Sequence, residues 1–304
     1  MTSAKRKLAL LGSNGMLATA IKKLAPINYQ IQSYDLPDFD ITNRTQVLAL
    51  QDSVPDIILN CAAYTNVDGC ETQHELAMQV NGEGPGLLAQ LASAIDAVLV
   101  HVSTDFVFSG DKREPYHEED PTGPLSVYGQ SKFLGEQRII ESGLKKYFIV
   151  RTSWLYGLGG SNFVETMIGL AKERTELKVV DDQRGTPTWT DDLAEAIFTL
   201  LTLVDAPHAS RLTPPSPYGL YHFSNEGACS WYQFAAEIIA QASKSESLKV
   251  ENILPIPTEE YPLPAHRPKY SVLSKEKYKA ATGMQVPEWR ESLRKYFGDR
   301  TQGV

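Results

Sequence analysis

Cysteine is scarce in this chain. Cys61, Cys70 and Cys229 are three residues in 304, and they form no Cys-x-x-Cys pair. An odd number leaves at least one thiol free, so a disulfide framework is excluded and a reducing, cytoplasmic compartment fits. The six histidines fall into no His-Glu-x-x-His or other metal-binding spacing. Basic residues are also in deficit: 29 against 37 acids, for a net charge of -8. That speaks against nucleic acid and anionic membranes as partners, because both are gripped by clustered Lys and Arg. One or two local arginines can still hold a small anion. No apolar run approaches the ~18 residues of a membrane span. The opening Lys5-Arg6-Lys7 and Leu8-Ala9-Leu10-Leu11 imitate a signal peptide only faintly. The apolar stretch is too short and runs straight into Gly12-Ser13-Asn14-Gly15, so it reads as a first strand.

What is present is a soluble globular composition, 42% hydrophobic and 22% charged, in a chain long enough for a sizeable core. Short apolar runs at 7–12, 29–34, 56–61, 97–103 and 147–152 alternate with helical patterns at 16–24, 43–52, 85–95 and 127–142. Ile57-Ile58-Leu59 and Val98-Leu99-Val100 are apolar at consecutive positions. A strand reads that way when helices cover both faces of a parallel sheet. The expectation is an α/β fold, a Rossmann-type doubly wound parallel sheet, with a smaller mixed C-terminal substrate domain. Residues 1–155 would form the dinucleotide-binding part. Residues 156–304 would mainly bind substrate, with some segments returning to the sheet. Helices are expected at 163–174, 191–203, 231–242 and 288–297. The proline-rich 207–217 reads as loop, and 255–268 is too broken for a helix.

Two clusters carry chemistry. Gly12-Ser13-Asn14-Gly15-Met16-Leu17-Ala18 follows a strand and opens a helix. Gly12 permits a tight turn, Gly15 lets backbone approach a pyrophosphate, and the helix N-terminus offers free N–H groups to it. Asp35, at the end of the second strand, stands where a carboxylate would accept from an adenosine ribose hydroxyl. The second cluster is Tyr128 and Lys132, four apart on one helix face. A lysine beside a phenol favours the phenolate, and such a tyrosine can pass a proton to a carbonyl oxygen while hydride reaches its carbon. With 14 tyrosines in the chain, that spacing arises by chance about once. Context gives it value: Thr104 ends the fourth strand at the sheet edge where such folds bind ligands.

With these residues in place, the sequence resembles the dTDP-4-dehydrorhamnose reductase family of the extended short-chain dehydrogenase/reductase superfamily. The resemblance rests on Asn-Cys-Ala-Ala-Tyr-Thr-Asn-Val-Asp at 60–68, Ser-Thr-Asp-Phe-Val-Phe at 103–108, Val-Tyr-Gly-Gln-Ser-Lys at 127–132 and Arg-Thr-Ser-Trp-Leu-Tyr-Gly at 151–157. Asp-Gln-Arg-Gly-Thr-Pro-Thr at 182–188, Gly-Leu-Tyr-His at 219–222 and Arg267-Pro268 extend it over nearly the whole chain. It implies NADPH- or NADH-dependent reduction of the C4 keto group of dTDP-4-dehydro-L-rhamnose, in the cytoplasm, by a chain that could form a homodimer. It implies that Thr104, Tyr128 and Lys132 are catalytic, with Lys132 also holding the nicotinamide ribose. Gly12, Ser13, Asn14, Gly15, Met16 and Leu17 would line the cofactor phosphates, Asp40 and Ile41 the adenine. Ala62, Ala63 and Tyr64 would lie beside the cofactor. Thr65, Val67, Thr104, Asp105 and Trp154 would border the sugar, with Asn162 and Arg267 toward the nucleotide diphosphate.

Three positions depart from the family pattern. Ala18 replaces a third glycine, and Phe106 replaces a tyrosine. Some members hold Mg²⁺ at a dimer contact through glutamates near the first helix; Ala20 stands in that region, which speaks against the metal here. Phe106 also argues against a 4,6-dehydratase, which needs an acid at that place. A 4-epimerase remains an alternative, as does a non-catalytic regulatory subunit like that of methionine adenosyltransferase. The bland readings are that His101 is a core histidine, Cys61 an inert apolar group, and Glu118-Glu119-Asp120 a solvated face.

Overall fold

Leu8 and Leu10 point to one side of a strand, Ala9 and Leu11 to the other, and all four are fully buried. The computed structural model, which describes residues 5–205 and 216–302, shows why. Five strands, β1 (Arg6–Leu11), β2 (Tyr29–Tyr34), β3 (Ile57–Asn60), β4 (Val98–Thr104) and β5 (Tyr147–Thr152), pair in parallel. A sixth, β10 (Gly219–His222), adds in parallel to β5, giving the order β10-β5-β4-β3-β1-β2. The chain leaves β1 in one direction for β2 and then crosses back to β3. The switch point therefore lies between β1 and β3, where a doubly wound sheet opens a crevice at its carboxyl edge.

On one face α1 (Met16–Leu24) packs with α8 (Thr190–Thr202) over Leu8, Leu10, Leu59, Val100 and Val150. On the other, α2 (Arg44–Ala49), α5 (Gly84–Ala94) and α6 (Val127–Glu141) cover Leu11, Ile58, Leu99 and Ile149. Each fully buried aliphatic side chain of these layers contributes roughly 1.5–3 kcal/mol. Between β3 and α5 lie two single-turn helices, α3 (Val67–Cys70) and α4 (His74–Ala77), and a π-helical turn over Met78–Glu83.

The second half builds its own core from Tyr156, Phe234, Trp289 and Tyr296, all fully buried. These come from or lie beside α7 (Phe163–Glu173), α9 (Trp231–Ala242) and α11 (Trp289–Gln302). Three small pairs brace it: β6 (Leu155–Tyr156) with β9 (Thr188–Trp189), β7 (Glu176–Val180) with β12 (Asn252–Ile256), and β8 (Arg184–Gly185) with β11 (Cys229–Ser230). The last helix between them, α10 (Glu276–Thr282), lies against β10. The 207–217 stretch falls mostly outside the described residues. In 255–268 there is no α-helix: β12 runs through Pro255 and a 3₁₀ turn follows at Thr258–Glu260.

Candidate active site

The carboxyl edge of the sheet opens into a cavity of about 1730 Å³. That is larger than the roughly 300–1,000 Å³ that suffices for one drug-sized ligand.

One end of the cavity is the glycine turn. Gly12 has φ +71°, and a methyl group there would lie 2.6 Å from the Ala62 nitrogen. Only glycine fits such a position. Gly15 is the N-cap of α1 and has no side-chain cap, so the first N–H groups of the helix stay open toward the cavity. Asn14, Met16 and Leu17 line the same wall. Asp35 ties the end of β2 to the turn: Oδ2 accepts the Asn14 N–H at 2.6 Å and Oδ1 the Leu36 N–H at 2.8 Å. Asp40 and Ile41 stand beyond it on the cavity wall. A Cβ-free cradle, an uncapped helix start and a carboxylate at the second strand are the donor set a dinucleotide needs. Ala18, in place of the third glycine, is fully buried against the sheet.

The other end is built by α6. Ser126 caps it by accepting the Gly129 N–H at 3.2 Å, which starts the helix at Val127 and puts Tyr128 in the first turn. Tyr128 and Thr104, at the end of β4, line the same cavity. Its ring meets Phe106 edge-on at 5.4 Å. One turn on, Lys132 Nζ donates to the Val102 carbonyl at 2.7 Å. Burial brings its ammonium down to about 8, against the pull of Glu136 and Cys61. One expectation is corrected here: Lys132 does not lower Tyr128. Burial pushes the phenol well up, and the charge of Asp105 pushes the same way. Tyr128 is therefore held as a proton donor.

Ala62, Ala63, Thr65 and Val67 bridge the two ends, and Trp154, Asp105 and Arg267 complete the wall. Trp154 takes a left-handed φ of +46° and stacks on Trp231 at 3.5 Å. Trp231 also lines the cavity. Three expected residues are not brought to this wall. The backbone of Ser13 donates to Tyr34 O at 3.2 Å and accepts from Lys22 at 2.7 Å, and its side chain is buried. Tyr64 is clamped through its backbone by Asn81. Asn162 caps α7, accepting the Glu165 N–H at 3.2 Å and donating to Gly157 O at 2.9 Å, so its amide is already spent. Arg267 lines the cavity, but its guanidinium grips Asp68.

Residues that sequence reasoning passed over hold the site together. Asn81, 1% exposed in the π-helical turn, bonds Tyr64 and also Ser131 of α6 at 3.0 Å. Behind Lys132, Glu136 takes Arg151 Nε and NH2 at 2.9 and 2.7 Å and the Ser103 hydroxyl at 2.5 Å. Neither stands in an apolar run that would have marked it in the sequence. His101 is buried and kept neutral, but only Nδ1 has a partner, Asn60 at 3.0 Å. The acidic run is not simply solvated: Glu118 accepts the His222 N–H at 2.9 Å, and Asp120 holds Lys112 at 2.6 Å. Burial pushes the Cys61 thiol up to about 12. At the foot of α1, Lys23 lies between Asp191 and Asp299 at 2.7 and 2.6 Å. Among the described residues, no three His, Cys, Asp or Glu side chains gather as metal ligands, and no helix is long and apolar enough to cross a membrane.

The model of the RmlD substrate binding domain matches residues 6–301. Spore coat polysaccharide biosynthesis protein SpsK of Bacillus subtilis is 40% identical, over 97% of this chain and 98% of its own. The dTDP-4-dehydrorhamnose reductase of Burkholderia thailandensis is 39% identical, over 94% and 96%. The solved structure of dTDP-4-dehydrorhamnose reductase from Bacillus anthracis in complex with NADP superposes with a TM-score of 0.88 at 42% identity, covering 97% of this chain and 99% of that one.

Proposed function

Because the chain belongs to the RmlD substrate binding domain family, that of the dTDP-4-dehydrorhamnose reductases, we propose that it reduces the C4 keto group of dTDP-4-dehydro-L-rhamnose to give dTDP-L-rhamnose. It is an NAD(P)H-dependent oxidoreductase of that type. The observation that carries the reading is the meeting of Thr104, Tyr128 and Lys132 on the same cavity as the glycine turn. When bound, the nicotinamide supplies a hydride to C4.

Gly12, Gly15 and the open N–H groups of α1 would hold the diphosphate of the cofactor, and Asp35 its ribose. Tyr128 gives its proton to the carbonyl oxygen as that oxygen gains charge. Thr104 donates a second hydrogen bond to the same atom, where preorganised donors act most strongly. Lys132, fixed by Val102, holds the ribose next to the reacting carbon. Trp154 and Val67 shape the space for the sugar. All of these residues come from one chain, so a homodimer would pair two such sites. Three unpaired cysteines fit work in a reducing cytoplasm.

The test is to supply dTDP-4-dehydro-L-rhamnose with NADPH or NADH and follow loss of reduced nicotinamide with formation of the 4-hydroxy sugar. Epimerisation of a nucleotide sugar without net consumption of nicotinamide would instead place the chain with the 4-epimerases. Absence of turnover together with capture of a synthetase subunit would make it regulatory.

A further inference from the structure

Three unusual features meet at one side chain, the indole of Trp154. Its backbone takes a left-handed φ of +46°, a region that a bulky residue enters only when its surroundings impose it. Its ring lies face to face on Trp231, with centroids 3.5 Å and planes 8° apart, whereas free aromatic pairs settle into offset or edge-on contacts. A methyl group on Gly185 would lie 2.6 Å from Cε2, 2.7 Å from Cζ2 and 2.8 Å from Nε1 of the same indole. No side chain fits at 185 while Trp154 stays where it is.

Local structure builds this arrangement from distant parts of the chain. The β8–β11 pair sets Gly185 opposite Cys229 and Arg184 opposite Ser230. Ser230 then caps α9: its hydroxyl accepts the Gln233 N–H at 3.1 Å, and its own N–H donates to the Gln233 side chain at 3.0 Å. Trp231 is thereby the first residue of α9, beside the strand that carries Gly185. The backbone around Trp154 is pinned as well. The Ser153 hydroxyl donates to the Thr186 carbonyl at 2.7 Å, and the Thr188 N–H donates to the Trp154 carbonyl at 3.2 Å. Phe163 of α7 packs on Trp231 with centroids 4.6 Å apart. Trp154, Phe163 and Trp231 all line the cavity.

We propose that Trp231 and Gly185 are positioning residues that clamp the Trp154 indole for the sugar: Trp231 is the plate on which it rests, and Gly185 leaves the space it needs. The inference deepens the reductase reading above and rests on it, since that reading gives Trp154 the sugar. A deoxy sugar presents C–H groups and a methyl group as well as hydroxyls, and a large flat ring covers such apolar surface well. An indole free to turn among its rotamers would have to be ordered each time the sugar binds, at a loss of affinity. Held on Trp231, it is ordered beforehand. Trp154 alone touches the sugar; Trp231 and Gly185 act through it. The Asp-Gln-Arg-Gly-Thr-Pro-Thr run at 182–188 thus has a physical use for its glycine.

Two measurements on the intact protein decide it. The first is a set of double-mutant cycles in steady-state kinetics, with dTDP-4-dehydro-L-rhamnose varied and reduced nicotinamide saturating. Trp231→Leu and Gly185→Ala should each raise KM for the sugar by roughly two- to tenfold, the span of one lost aromatic contact. Trp231→Phe restores a flat ring and should recover most of that loss. In all three, kcat and cofactor affinity should hardly move, because an apolar contact is made equally before and during hydride transfer. In a Trp154→Leu background the indole is gone, so adding Trp231→Leu or Gly185→Ala should raise KM no further. Effects that simply add in that background overturn the proposal. The second measurement is circular dichroism, which does not depend on turnover. Two stacked indoles couple as an exciton, so Trp154→Leu and Trp231→Leu should remove the same couplet and Gly185→Ala should weaken it. A couplet that survives either leucine variant overturns the clamp. If the unmodified protein reduces no dTDP-linked keto sugar, the reductase reading is what fails, and the dichroism alone decides the clamp.

Discussion

Asp68 and Arg267 form a two-pronged ion pair at the cavity wall, with NH2 to Oδ2 at 2.8 Å and NH1 to Oδ1 at 3.1 Å. The Ala265 N–H adds to the same carboxylate at 3.1 Å. The guanidinium that sequence reasoning turns toward a diphosphate thus already holds an anion, and it keeps the Asp68 carboxyl below its usual range.

A diphosphate must compete with Asp68 for Arg267. Arg267→Ala should raise KM for the nucleotide sugar by about tenfold, the low end for a charge-assisted bond, because part of the gain is exchanged rather than new. Asp68→Asn should lower KM by freeing the fork. In both, kcat should hardly move, since the diphosphate keeps its charge through hydride transfer. Steady-state kinetics with the sugar varied checks this; an unchanged KM in both variants moves the contact elsewhere. The folded pKa of Asp68 is lowered, so the pair stabilises fully above about pH 4 and is lost as pH falls through that lowered value.

Tyr128→Phe keeps the ring against Phe106 and removes the proton. Turnover should drop by roughly 10²–10⁴-fold, while cofactor affinity, read by fluorescence titration, should change little. Retention of most turnover would sink the role assigned to Tyr128.

Asp35 both anchors the glycine turn and faces the cavity. Its charge would repel a 2′-phosphate, so Asp35→Ala should shift the ratio of kcat/KM values toward NADPH. Losing the bond to Asn14 should also weaken both cofactors somewhat. If the ratio stays where it was, the carboxylate serves the turn and not the ribose.

Glu136 and Arg151 have side chains 1% and 4% exposed. Arg151→Met would leave a buried carboxylate without its cation, at a cost of about 3–5 kcal/mol. The expected fall in Tm is of the order of 10 °C. Calorimetry showing a shift of a degree or two would mean that water reaches Glu136.

Lys132 carries a stability signature of its own. Its folded value near 8 lies below the ordinary ~10.4 of an unfolded lysine. Between these values the unfolded chain binds more protons, so stability from this group rises with pH over that window and is flat below it. Lys132→Met should remove the rise and make the protein more stable at pH 7, by denaturant unfolding. A slope that survives the substitution points to another group.

Most parallel strands and long helices were legible, the strands as short apolar runs and the helices as the longer patterns between turn residues. Tyr29–Tyr34, Met16–Leu24 and Trp231–Ala242 fall on the stretches their patterns marked. The segment from Val67 to Glu83 was not. Its helices last one turn each and owe their place to Asn66 and Asn81 side chains rather than to an apolar stripe. Strand β10 follows a proline-rich stretch and has four residues, too few to show alternation. At the site, Tyr128, Lys132 and Thr104 could be picked out by residue type. Asp68 and Trp231 could not, since their roles depend on partners far along the chain.

The sixth strand of the sheet, Gly219–His222, bears on how the protein is made. Until it emerges, Phe148–Arg151 of β5 presents a bare edge of buried, largely apolar residues with no neighbour to take its hydrogen bonds. At roughly 5–20 residues per second of synthesis, the nascent chain carries that edge for several seconds after β5 has left the ribosome. A chaperone, or slow pairing of β5 itself, would have to guard it during translation.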